Sequence, residues 1–241
     1  MINTKMINPI QRKRFVAARG VCESISQLIS SSFGVCSIEE LHTVIKCETF
    51  NRSTDQASSL HKVIYSEFDK SVNKSEILRK YYLLCAEWLN DLTTMYSCTD
   101  WAIQRYPSVR AQFPENISVF EFHRDSDYCH PLGEINHFLA ITEAKETATL
   151  YVEHTLGWSD FRPLNLDSGE SAILNTSVFK HGDYTNKEGY TRLSIDFRAI
   201  PVHVLESGGF ASPRISLTKK KLFDTSDYYL NSNKLKELLN D

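Results

Sequence analysis

Between Tyr106 and Ile200 the sequence falls into short apolar segments separated by turn residues: 117–124, 135–142, 147–153, 171–175, 178–181 and 192–200. Asp167-Ser-Gly-Glu170, Gly182-Asp183 and Lys187-Glu-Gly189 punctuate them. Segments this short cannot bury a helical face, whereas residues alternating with a period of two can each line a strand. The pattern confines this half of the chain to an all-β barrel or a two-sheet jelly roll.

Upstream the apolar period lengthens to three and four. Phe15, Ala18, Val21, Cys22, Ile25, Leu28 and Ile29 form one stripe within 9–33, and Gly34 is a natural stop. Ser37-Ile-Glu-Glu40 has the form of a capping box leading into Leu41, Val44 and Ile45. After the polar loop 51–55 come a third stripe (Leu60, Val63, Ile64, Phe68) and, beyond Ser75, a fourth (Ile77, Leu78, Tyr81, Leu84, Cys85, Trp88, Leu89). Their aromatic residues are read as faces packed on a sheet. The expected organisation is one compact domain: a helical segment over 1–105, a β core over 106–205, and a tail over 206–241. The tail carries a loop at Ser207-Gly-Gly209, a solvated basic run Lys219-Lys220-Lys221 and a short helix over 234–239.

A chain of 241 residues with 41% hydrophobic and 24% charged residues can bury a sizeable core. Its net charge of -3 gives no electrostatic reason to expect nucleic acid as a partner. The first twenty residues carry Lys5, Arg12, Lys13, Arg14 and Arg19 but no apolar secretory core, and no apolar run reaches membrane-spanning length. The six cysteines lack Cys-x-x-Cys spacing and mostly sit on apolar helical patterns, as expected of reduced thiols in a cytoplasmic protein. A homo-oligomer is neither required nor excluded.

The chemistry centres on His123-Arg124-Asp125. Residues two apart on a strand share a face, so both side chains can point into a barrel if the strand continues that far. His181, 181 − 123 = 58 residues on, supplies a third donor from a separate strand. Two imidazoles and one carboxylate make the facial triad of non-haem Fe(II) oxygenases. A second pair, His181-Gly182-Asp183, shows how little His-x-Asp means alone, but only His203 follows it; Asp183 is read as a loop carboxylate. Arg192 follows His181 by 192 − 181 = 11 residues and shares a strand face with Ser194, opposite Leu193, Ile195 and Phe197. An arginine fork inside a barrel suits a carboxylate ligand; the alternative is that Arg192 pairs with Asp196 or an acidic loop residue. Tyr128, His130 and Glu134 either line a substrate entrance or fix the loop. Arg110 is a substrate contact or a partner for a nearby carboxylate. His137, His154 and His203 are read as core or surface histidines.

In this order and spacing, His123-x-Asp125, His181 and Arg192-x-Ser194 resemble the Fe(II)/2-oxoglutarate-dependent dioxygenases with a double-stranded β-helix core. Tyr106-Pro-Ser-Val-Arg110, His123-Arg-Asp-Ser-Asp-Tyr128-Cys-His130-Pro and Glu134-Ile-Asn136 narrow the resemblance to dioxygenases of aminoglycoside pathways, the kanamycin B dioxygenase type, themselves similar to phytanoyl-CoA hydroxylases. The resemblance covers 104–200. It implies His123, Asp125 and His181 as Fe(II) ligands at the catalytic centre, and Arg192 with Ser194 for the distal carboxylate of 2-oxoglutarate. Asn136 either faces the cosubstrate or makes a structural hydrogen bond. The retained Asp125 sets the chain apart from halogenases, which replace that carboxylate. The implied reaction consumes O₂ and 2-oxoglutarate, releases succinate and CO₂, and hydroxylates or otherwise oxidises, desaturates or cyclises a small polar metabolite such as an amino sugar, cyclitol or amino acid derivative. The competing readings are a cupin-like metal-binding protein without 2-oxoglutarate-dependent activity, and an interaction module in which these residues coincide by chance.

Overall fold

A computed structural model describes residues 10–45, 58–118, 121–207, 215 and 221–240. In chain order its elements are β1 (Ile10–Lys13), α1 (Val16–Phe33), α2 (Ser59–Phe68), α3 (Glu76–Tyr96), β2 (Trp101–Gln104), β3 (Ser108–Gln112), β4 (Ile135–Ala140), β5 (Tyr151–Glu153), β6 (Phe161–Pro163), β7 (Ser171–Leu174), β8 (His181–Gly182), β9 (Arg192–Pro201), α4 (Val202–Glu206), β10 (Tyr229–Asn231) and α5 (Ser232–Asn240). Short 3-10 turns occur at Ile38–Thr43, Val72–Lys74 and Asp125–Tyr128. The loop 51–55, Cys47, Lys219, Lys220, Gly208 and Gly209 lie outside the described residues.

Two antiparallel sheets face one another. The larger runs β1-β7-β4-β9-β2-β10, with β3 also paired to β9, and the smaller runs β6-β5-β8. Between them Phe138, Ala140, Ala172 and Leu174 of the large sheet meet Val152 of the small one, with Leu150, Leu164 and Phe179. This is the expected jelly-roll, double-stranded β-helix architecture. The back of the large sheet is covered by helices, since Leu139, Ile173, Leu193, Ile195 and Phe197 share one core with Ile25, Ile29, Tyr81, Leu84 and Trp88. Each such side chain removed from water contributes about 1.5–3 kcal/mol.

The helices begin and end for local reasons. The Ser75 hydroxyl accepts the Leu78 N–H at 3.2 Å and caps α3. α1 has no cap of its own; its Val16 and Ala17 amides donate to the Glu87 carboxylate of α3 at 2.9 and 2.8 Å, which places negative charge at a helix start. It ends at Gly34 with φ 68°, a conformation glycine adopts without strain.

Three local expectations change. The helical reading of 9–33 conceals β1, whose Ile10 to Lys13 pair with Leu174 to Ser171. The box at Ser37 opens a 3-10 turn, and Glu39 rather than Glu40 interacts with the Ser37 hydroxyl. The segment 117–124 forms no named strand among its described residues; it contributes one bridge, His123 to His181. Strands β1, β2 and β10, from outside 106–205, join the same large sheet. The five described cysteines are free, and burial pushes the Cys22 thiol up to about 12 and Cys85 higher still. Among the described residues no helix is long and apolar enough to cross a membrane.

Candidate metal centre and its cavity

The backbone fixes the three donors before any ion is considered. His123 and His181 exchange N–H···O=C bonds of 3.0 and 2.9 Å, which sets their rings side by side, 4.5 Å apart. The extended path ends there: the Asp125 N–H donates to the Thr176 carbonyl at 2.8 Å and Asp125 opens a 3-10 turn. Asp125 therefore reaches the histidines from a turn, not from a continuing strand. One ligand atom from each of His123, Asp125 and His181 lies within 4.8 Å of the others. Asp125 Oδ1 is 3.9 Å from His123 Nε2 and 3.7 Å from His181 Nε2.

Hydrogen bonds behind the rings select the tautomer. His123 Nδ1–H donates to the Glu121 carbonyl at 2.8 Å and His181 Nδ1–H to the Phe179 carbonyl at 3.5 Å, because a carbonyl can only accept. Both Nε2 lone pairs then face Asp125 Oδ1. Burial pulls His181 down to about 4, so it is neutral at pH 7. Burial alone would raise the Asp125 carboxyl, but Arg198, His181 and His130 outweigh it and hold it well below the usual carboxylate range. A neutral His181 and an ionised Asp125 suit metal binding, and with His123 this donor set fits Fe(II).

One cavity joins this centre to the inner face of β9, where Arg192, Ser194, Asp196 and Arg198 alternate with the helix-packed Leu193, Ile195 and Phe197. The expected two faces of this strand are thus observed. Arg192 is 1% exposed and fully engaged. It donates to Ser194 Oγ (2.7 Å), Ser118 Oγ (2.8 Å), Gln112 Oε1 (3.1 Å) and Asp183 Oδ2 (3.1 Å). The alternative partner foreseen for Arg192 therefore exists, and it is Asp183. That residue is no ordinary loop carboxylate: its side chain is wholly buried and also accepts from the Ser118 amide and hydroxyl.

The other expected site residues divide. Asn136 is 4% exposed and lines the cavity, and its Oδ1 has no hydrogen-bond partner. Arg110 donates from Nε to Asp196 Oδ1 at 3.2 Å, the carboxylate partner foreseen for it, and also lines the same cavity. Tyr128 stands edge-on to the His123 ring at 4.8 Å and donates to Glu121 Oε1 at 2.9 Å. His130 and Glu134 sit elsewhere, in a buried network behind Asp125: they pair at 2.8 Å, the Tyr229 hydroxyl of β10 donates to Glu134, and Arg198 lies 3.8 Å from Glu134. His137 is a core histidine stacked on Phe197 and held by Ser171. Sequence reasoning missed Arg198, Asp196, Thr176, Gln112, Ser118 and Tyr229. The first two continue the period-two face begun by Arg192 and could have been found; the others carry no local signal.

No family model matches the sequence. The streptomycin biosynthesis protein StrG of Streptomyces griseus is 30% identical over 151 residues, which span 62% of this chain and 66% of that protein. About a third of that relative therefore lies outside the match. A structure described as CytC3 with Fe(II) and alpha-ketoglutarate superposes over 80% of this chain and 73% of its own, at 11% identity and a TM-score of 0.46. A prolyl-4-hydroxylase of Pseudomonas putida superposes over 81% of this chain and 88% of its own, at 9% identity and a TM-score of 0.43. The alpha-ketoglutarate-dependent epimerase SnoN from nogalamycin biosynthesis covers 80% of this chain and 78% of its own, at 10% identity and a TM-score of 0.43. The chain is thus similar in sequence to a streptomycin biosynthesis protein over part of its length.

Proposed function

We propose that this protein is a non-haem Fe(II)/2-oxoglutarate-dependent oxygenase that hydroxylates or oxidises a small polar metabolite. The observation that carries the reading is that His123 and His181, whose donors converge with that of Asp125, line the same cavity as Arg192 and Arg198 of β9. His123, Asp125 and His181 hold the metal. Arg192, with Ser194, receives the distal carboxylate of 2-oxoglutarate, and the Asn136 side chain, whose Oδ1 has no partner, faces the cosubstrate. Bound Fe(II) supplies the centre at which O₂ oxidatively decarboxylates 2-oxoglutarate to succinate and CO₂.

The chain's own contribution is orientation and charge. The carbonyls of Glu121 and Phe179 fix the two imidazoles, while Arg110 and Arg192 lower the cost of bringing an anion into a buried site. The cavity measures only about 30 Å³, so a five-carbon diacid enters by parting Arg192 from Asp183 and taking over its donors. Tyr128, beside His123 and half-buried, is the residue we assign to the substrate side; Arg110 is the second. The similarity to a streptomycin biosynthesis protein supports an amino sugar, cyclitol or related polar metabolite as substrate. The free buried thiols support a reducing, cytoplasmic setting.

Anaerobic addition of Fe(II) and then 2-oxoglutarate tests the reading: a weak visible charge-transfer band is expected, followed by succinate release when air and a polar metabolite from a substrate panel are supplied. The Arg192–Asp183 pair favours one competitor, a metal-binding cupin-like protein in which Arg192 serves the fold. Well-folded protein that binds Fe(II) but develops no band with 2-oxoglutarate would decide for that competitor.

A further inference from the structure

A carboxylate offers a metal one oxygen or two, and the choice changes how many coordination positions remain. Asp125 is held so that the choice is already made. Its Oδ2 accepts from Thr176 Oγ1 at 2.6 Å and from Arg198 Nε at 2.9 Å. Its Oδ1 lies 3.9 and 3.7 Å from the Nε2 atoms of His123 and His181, so one potential ligand atom from each residue converges on the same point.

The two donors are themselves fixed. Arg198 is buried, and its Nη1 donates to Asp196 Oδ2 at 3.0 Å and to Gln104 Oε1 at 3.3 Å. Gln104 in turn donates from Nε2 to the Tyr106 carbonyl at 2.6 Å. Thr176 is tied to the same loop, because its carbonyl takes the Asp125 N–H. Turning Asp125 to present both oxygens would break two short charge-assisted bonds from buried donors.

We infer that Thr176 and Arg198 are positioning residues that occupy Asp125 Oδ2 and so leave Oδ1 alone to serve a bound metal. The inference rests on the metal-site reading above. Asp196 extends the arrangement to the cavity, since its other oxygen accepts from Arg110. The chain Arg110–Asp196–Arg198–Asp125 thereby links a cavity arginine to the metal carboxylate.

The decisive comparison is Thr176→Val with Thr176→Ser, each loaded with Co(II) without cosubstrate and followed by visible absorption. Valine keeps the shape and the backbone contact but loses the donor to Oδ2; serine keeps the donor. Thr176→Val is expected to weaken Co(II) binding about 10–100-fold, the usual effect of removing an outer hydrogen bond to a ligand, and to alter the d–d spectrum as the ligand set changes. Thr176→Ser is expected to match wild type in both. A Thr176→Val protein within two-fold of wild type, with a superimposable spectrum, would overturn the positioning role. Failure of the wild-type protein to bind Co(II) would instead overturn the metal-site reading beneath it. Arg198→Lys extends the series, but Arg198 neighbours Asp125, Asp196 and Glu134, so the threonine pair carries the decision if that variant does not fold.

Discussion

Replacing Arg192 with Met separates what this arginine does for the fold from what it does for a ligand. Arg192 is 1% exposed and the Asp183 side chain is fully buried, so the substitution leaves a carboxylate without its counter-ion in the interior. Breaking a buried pair by removing one partner costs about 3–5 kcal/mol. In a chain of this size each kcal/mol moves the midpoint by roughly 2–4 °C, so Arg192→Met should melt about 6–20 °C below wild type. The double variant Arg192→Met, Asp183→Asn removes both charges and should recover most of that loss. The cosubstrate behaves differently. On the role proposed for Arg192, losing a charge-assisted contact of about 3 kcal/mol should weaken 2-oxoglutarate binding by roughly 150-fold, and the second substitution restores no cation to receive it. Differential scanning calorimetry gives the stabilities, and anaerobic titration of the Fe(II) protein with 2-oxoglutarate gives the affinities. Two results would refute the reasoning: Arg192→Met melting within 2 °C of wild type, or a double variant that regains 2-oxoglutarate affinity together with stability.

Other substitutions probe the scaffold. Burial lowers His137 from 6.5 to about 3, so the folded protein holds it neutral while the unfolded chain takes up a proton below about 6.5. Its contribution is complete above pH 6.5 and declines as pH falls toward 3, by about 3 kcal/mol at pH 4.5; His137→Gln should flatten urea-unfolding free energies between pH 6.5 and 4.5, and an unchanged slope would count against it. A Cβ on Gly182 would lie 3.0 Å from Phe122 Cα and from its ring, so Gly182→Ala should cost about 1–3 kcal/mol and lower the melting midpoint accordingly. Tyr229→Phe removes a donor from buried Glu134 and should cost about 1.5–3 kcal/mol by the same measurement, with no loss if Glu134 is served from elsewhere.

How legible the molecule is in its sequence depends on the range of the forces involved. The alternation of β9 reads directly, because one face must meet helices and the other must not; Leu193, Ile195 and Phe197 declare the first, Arg192 and Ser194 the second. The order His123, Asp125, His181 also reads directly and the structure brings those donors together. β1 does not read, since Gln11, Arg12 and Lys13 have little apolar alternation and become a strand only because β7 offers an unpaired edge. Asp183 was hidden for a similar reason. Nothing near it in sequence announces that Ser118 and Arg192 will close around it. Thr176 carries no local pattern; only the folded chain shows that it faces Asp125.

The bond from Tyr229 to Glu134 has a consequence for the order in which the protein can mature. A nascent chain that has just completed β9 already contains every donor atom of the metal centre. It still lacks β10, which closes the edge of β2 and brings the hydroxyl that holds Glu134 beside His130 and Arg198. Until that late segment docks, Glu134 lacks this donor, whereas Thr176 and Arg198 are already in the chain to hold Asp125. The buried network behind Asp125 is therefore completed by a later segment than the ones that supply the candidate donors.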